Sequence, residues 1–197
     1  VVADRQAEVI VNRFRATTAV GIALGLVASG ATAAPPATGP VVDPSAMIDN
    51  PQYTAWAKCS VGTSVTLVGE TEAGGLGRVH VEVTQTLTAI APEAVTLSHA
   101  NAVTVSGQPQ PAGPVTTQTI GAKIASIAMK LVGTADVTAM GRTYPCHVYE
   151  AAQPGVRGAT KSTVYMNDSV PGGVVKLVAA AGGGASVTFL LASVSVK

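Results

Sequence analysis

The chain has 197 residues, of which only 12% are charged and 4% aromatic, and its formal net charge is +1. A near-neutral balance without a basic run offers no electrostatic footprint for nucleic acid. So few bulky side chains argue against a thick helical core and for thinly packed sheets of small and β-branched residues.

The N-terminal stretch reads as a targeting segment. Arg13 and Arg15 form a positive region, Ala16–Ala28 an apolar one, and Ala31-Thr32-Ala33 a small-residue cleavage signal. Residues 1–33 are therefore expected to be a signal peptide, and the protein periplasmic or secreted. The apolar run is too short to span a bilayer, which needs roughly 20 residues, so no transmembrane segment is expected in the mature chain. Val1–Ile10 reads oddly in front of a signal, as if a gene-calling artefact preceded a start at Val11. Residues 34–48, with Pro35–Pro44 at their centre, form a proline-rich linker. Residues 49–197 form one β-rich domain.

The domain opens on Asn50-Pro51, a helix start: Asn caps free N–H groups and Pro suits the first helical position. A short helix over Asn50–Lys58 would put Tyr53, Trp56 and Ala57 on one face and plug Trp56 into a sheet. Ser64–Glu70 then leads through Gly74-Gly75-Leu76-Gly77 into Arg78–Ile90. There Val79, Val81, Val83, Leu87 and Ala89 alternate with His80, Glu82, Thr84, Thr86 and Thr88, one dry face and one wet. Ala91-Pro92-Glu93 turns the chain back into Ala94–Val105. Here Val95, Leu97, Val103 and Val105 share a face with His99 and Asn101, so that face is expected to open to solvent or a ligand.

Gly107–Pro114 is a loop. Ile120, Ile124, Ile127 and Leu131 recur at spacings of 4, 3 and 4, which predicts a helix over Thr119–Leu131, an extended segment being the alternative. Five β-runs close the chain: Thr134–Ala139, Thr143–Ala152, Lys161–Met166, Val174–Ala179 and Val187–Val196. In the second, Tyr144, Cys146 and Val148 face one way and Pro145, His147 and Tyr149 the other. Met140-Gly141 sits where a two-residue hairpin turn belongs. Val170-Pro171-Gly172-Gly173 is a turn or strand crossing, because Pro cannot donate to a ladder. Asn167-Asp168-Ser169 reads as a polar turn.

Catalytic and metal chemistry leave little trace. No G-x-S-x-G elbow occurs, the acids are scattered, and Gly182-Gly183-Gly184 lacks the Lys-Ser/Thr of a phosphate loop. His80, His99 and His147 lie on separate runs without metal-ligand spacing. The expectation is a non-enzymatic protein with no catalytic residue, no metal and no cofactor. Cys59 and Cys146 either pair or stay as two buried thiols. Pairing would close a loop of about 87 residues and contribute roughly 4 kcal/mol in the chain-entropy model.

The stretches Val137-Thr138-Ala139-Met140-Gly141-Arg142-Thr143-Tyr144-Pro145-Cys146 and Val164-Tyr165-Met166-Asn167-Asp168-Ser169-Val170-Pro171-Gly172-Gly173-Val174-Val175-Lys176 resemble a pattern of exported bacterial half-barrel proteins. These are of the Lol-like periplasmic lipoprotein-carrier type, and the same block resembles small secreted proteins of planctomycete-like bacteria. The resemblance covers residues 134–176. It implies a mainly β fold: a single curved antiparallel sheet, or half-barrel, with one or two short helices on its concave face. It also implies an apolar ligand held there. Trp56, Leu97, His99, Val103, Ile124 and Ile127 are the residues placed to line such a face. The expected partner is a hydrophobic small molecule or another envelope protein, the latter in a structural or interaction module with no small ligand.

Overall fold

The computed structural model describes residues 46–73, 77–126, 128–153, 160–180 and 186–197. The expected signal peptide, most of the expected linker, Gly74-Gly75-Leu76, Ile127 and Gly182-Gly183-Gly184 lie outside them. Twelve strands and one helix follow in order: β1 Met47–Asp49, α1 Pro51–Trp56, β2 Ser64–Ala73, β3 Gly77–Ala91, β4 Ala94–Val105, β5 Gln108–Pro109, β6 Thr116–Gly121, β7 Lys123–Ala125, β8 Met129–Ala139, β9 Arg142–Gln153, β10 Thr160–Met166, β11 Val174–Ala180 and β12 Ser186–Ser195. Met47 and Ile48, counted with the linker in the sequence, thus join β1.

Ten strands form one antiparallel sheet in the order β5-β4-β3-β2-β12-β11-β10-β9-β8, with β6 also paired to β4. Two meanders, β2–β4 and β8–β12, are joined where β12 pairs with β2. The sheet does not close into a barrel. It does curl, since β8 turns back into contact with β11 and β12. β1 and β7 make a separate two-stranded ribbon, Met47 to Ala125 and Asp49 to Lys123, with the Lys123 ammonium 2.6 Å from the Asp49 carboxylate.

Register explains the core. Partners across an antiparallel ladder share a face, so Tyr149, Val164, Leu177, Phe189, Gly69, Val81 and Val103 form one continuous row across seven strands. Val164, Leu177, Phe189 and Val81 in that row are buried. Gly69 carries no side chain because the Phe189 ring lies across it: a Cβ there would fall 2.7 Å from the ring. The next row, Val148, Tyr165, Lys176, Leu190, Val68 and Glu82, faces the other way and is half-buried to exposed. In β8 and β9 burial changes sides. Val137, Ala139, Tyr144 and Cys146 stand on this second face and are buried, while Pro145 and His147 are exposed. The curl of β8 over β11 and β12 is what shelters them.

The helix is short and held from outside. Asn50 Oδ1 accepts from the Gln52 amide at 3.0 Å and Pro51 takes the first position, as the sequence predicts. Six residues cannot sustain a helix alone. The Asn50 amide donates to Ala122 O at 2.9 Å, and the Tyr53 hydroxyl reaches Pro92 O at 2.8 Å. Ala55 and Trp56 are buried against the sheet.

Two expectations fail. The helix over Thr119–Leu131 is absent among the described residues and the extended alternative holds: the segment supplies the end of β6, β7 and the start of β8. A spacing of four suits a strand as well as a helix, and Ile120 and Ile124 are both buried in extended chain. Leu131, which a helix would bury, is 54% exposed. Ala89 is exposed as well, because a bulge between Leu87 and Ala89 inserts Thr88 and throws the pattern one residue out. Elsewhere the alternation of β3 holds, with Val79, Val81, Val83 and Leu87 buried.

Candidate functional site

The inner face expected to hold a ligand is occupied by the protein itself. Trp56 is 0% exposed in the main core cluster, together with Leu97. Val103 packs half-buried against that cluster and His99 is buried beside Leu97 on β4. Ile124 is buried apart from them, on β7 opposite Ile48. Ile127 lies outside the described residues. The structure therefore brings Trp56, Leu97 and Val103 into one cluster and leaves Ile124 in the small ribbon.

Around His99 the inner face is polar. Gln85 stands directly opposite it on β3, and Gln118 stands opposite Leu97 on β6. His99 Nε2 and both amide atoms of Gln118 are buried without a hydrogen-bond partner. Burial pushes the His99 imidazole below its usual value, and the nearby Gln118 amide opposes this only partly.

An open cleft lies at the end of the sheet where several turns meet. Its volume is about 690 Å³. Ala55, Lys58, Cys59 and Ser60 enter from α1 and the residues after it, Met140, Arg142 and Tyr144 from the β8–β9 hairpin, Asp168–Pro171 from the β10–β11 turn, and Val194 and Val196 from the end of the chain. Met140 and Gly141 both have positive φ, +51° and +74°, the conformation of a two-residue hairpin turn. The Arg142 guanidinium lies 4.3 Å from the centre of the Tyr144 ring, a cation–π contact. Asn167 Oδ1 accepts from the Ser169 amide at 2.9 Å and its hydroxyl at 2.6 Å, so Asn167-Asp168-Ser169 is the polar turn its sequence indicates.

The two cysteines are free thiols. Cys59 Sγ donates to Ala55 O and Cys146 Sγ to Tyr144 O, each at 3.4 Å. Burial pushes both thiols up, with Lys58 opposing at Cys59 and Asp136 adding at Cys146. A raised thiol value works against thiolate formation at either position.

Sequence reasoning marked Met140-Gly141 and the Val170–Gly173 turn only as punctuation. The cleft draws on four stretches scattered from residue 55 to residue 196, so no local spacing announces it. A second groove of about 500 Å³ runs between β8 and the second face of β10–β12, where the Lys176 ammonium lies 5.0 Å from the Tyr165 ring.

Together these features define an open, curled antiparallel sheet with a helical plug and a cleft at one end. No protein-family model matches the chain, and no curated protein matches it. Among solved structures it is similar to one described as an exported protein with a YmcC-like fold from Bacteroides fragilis. Their identity is 9% and TM-score 0.41, over 70% of this chain and 97% of that one. It is also similar to one described as an outer membrane lipoprotein-sorting protein domain from Vibrio parahaemolyticus, with 8% identity and a TM-score of 0.31, over 74% of this chain and 90% of that one. No helix of the described residues is long and apolar enough to cross a membrane.

Proposed function

We propose that the chain is an exported, non-enzymatic binding protein that holds an amphiphile, apolar in body and anionic at its head, in the end cleft. The lining carries this reading: Ala55, Met140, Tyr144, Val170, Val194 and Val196 supply apolar surface, and Lys58 and Arg142 supply cations at the same site. A volume near 690 Å³ falls within the range of about 300–1,000 Å³ typical of small-ligand sites. Burial pushes the Cys59 thiol in the cleft up and Ser169 is engaged by Asn167, which favours holding over chemistry.

The test is a titration of the purified chain with a fluorescent fatty acid and with the matching fatty alcohol. Saturable binding of the acid is expected, and Arg142→Gln should weaken it on the order of tenfold, the worth of one hydrogen bond to a charged group. Absence of saturable binding, or equal affinity for acid and alcohol, rejects the reading. Native mass spectrometry of protein from its source would show the ligand it carries.

One observation favours a second reading, an interaction module. β8 is an 11-residue edge strand with Leu131 and Val132 exposed, a ladder open to an added strand. A partner bound through that edge would protect the β8 amides from hydrogen exchange.

A further inference from the structure

The exposed apolar and basic surface at the cleft continues beyond its lining, onto Val61 and Lys197. Val61 is 51%, Met140 49% and Val196 71% exposed. Met140 and Val196 both line the cleft mouth, and Val61 follows Ser60, which lines it too. Three cations stand among them. Lys58 and Arg142 line the cleft, and the stem of Lys197 lies over Gly62, where a Cβ would fall 2.7 Å from its Cδ. The cleft lining includes one acid, Asp168.

Met140 is also a poor residue for its place. The first position of such a hairpin turn needs positive φ, which Asn, Asp and Gly adopt readily and Met does not. An unfavourable residue at a turn tip, half its surface in water, makes the fold worse and the tip more apolar. Exposed apolar patches rimmed by polar groups mark interaction sites, and cations beside apolar tips match an anionic lipid surface.

We propose that this end of the molecule docks on an anionic lipid bilayer, with Val61, Met140 and Val196 entering the headgroup boundary and Lys58, Arg142 and Lys197 facing lipid phosphates. The inference rests on the cleft reading only for what the membrane supplies, an amphiphile delivered to the mouth of its own site. Docking itself follows from the rim. Each cation near such a surface strengthens binding about fivefold at low salt, and screening removes most of that gain.

The experiment is co-sedimentation of the chain with vesicles of phosphatidylglycerol in phosphatidylcholine, against phosphatidylcholine alone, at low and high salt. Binding is expected to the first and to fall with salt. Lys197→Gln should weaken it about fivefold, and Val61→Ser should weaken it several-fold by removing an apolar tip. Met140→Asn should also weaken it several-fold while its thermal midpoint stays level or rises, which rules out unfolding as the cause. No binding to phosphatidylglycerol vesicles, equal binding to both kinds, or variants that bind like the parent would each overturn the proposal.

Val61 and Lys197 do not line the cleft, so in the vesicle-free fatty-acid titration their variants should match the parent. A parent chain that binds vesicles but no fatty acid leaves docking standing and removes the cleft reading. The converse removes docking alone.

Discussion

Replacing Gly172 with Ala probes how the helix is locked into the sheet. The added Cβ would fall 2.5 Å from Trp56 Nε1 and 2.6 Å from its Cε2, and the indole is fully buried, with no room to retreat. The backbone at Gly172 has φ +71°, a conformation that costs an L-residue about 1–2 kcal/mol. Forcing a methyl into a packed core costs a further ~1–3 kcal/mol. The variant should therefore lose about 2–5 kcal/mol, a large share of the roughly 5–15 kcal/mol that holds a typical domain together. Trp56 is the sole tryptophan, so urea unfolding followed by its emission reports directly on the disturbed contact. A lower midpoint with an unchanged slope is expected, along with a red-shifted native spectrum. In a Trp56→Phe background, followed by circular dichroism, the smaller ring relieves the collision but not the backbone strain. The two losses should then fall short of additive by about 1 kcal/mol or more. A Gly172→Ala variant within about 0.5 kcal/mol of the parent, or strict additivity, would refute the claim that ring and turn are wedged together.

Two further outcomes follow from buried groups. Burial lowers the His99 value in the folded state below the unfolded value near ~6.5. Between those values the unfolded chain binds more protons, so stability is full above about pH 6.5 and is lost as pH falls toward the folded value. Thermal midpoints across that window should therefore drop further for the parent than for His99→Gln; coincident pH profiles would show that His99 contributes nothing. The cysteines should read as two thiols in denaturant without reductant, and both should react slowly with a thiol reagent before unfolding. A count of zero would mean that they pair.

Strands were the legible part of this chain because their signal is local. Val79 to Leu87 alternate within a single run, and a two-residue period leaves few choices of face. Asn50-Pro51 announced its helix for the same reason, since cap and first position are neighbours. Ile120 and Ile124 misled because a spacing of four fits two periodicities, and only tertiary pairing, Ile120 with Val95 on β4 and Ile124 with Ile48 on β1, decides between them. The change of buried side at Cys146 and Tyr144 was visible as alternation, but its cause, the curl that returns β8 to β11 and β12, is tertiary. The site was less legible than the fold. His99 on an apolar face looked like an opening and is instead a buried polar neighbour of Gln85. The cleft is made by turns that only the folded sheet brings together.

β12 has a consequence for how the molecule assembles. It is the final strand, yet it stands in mid-sheet, with β2 on one flank and β11 on the other. The first meander must therefore wait, its β2 edge unsatisfied, until the last dozen residues arrive to bridge it to the second. Such distant pairing makes for slow folding, with the β2 edge open to wrong partners until β12 docks. Cutting the chain before Ser186 would remove the ladder that unites the two meanders and leave α1, packed on β4, β6 and the β10–β11 turn, to bridge them.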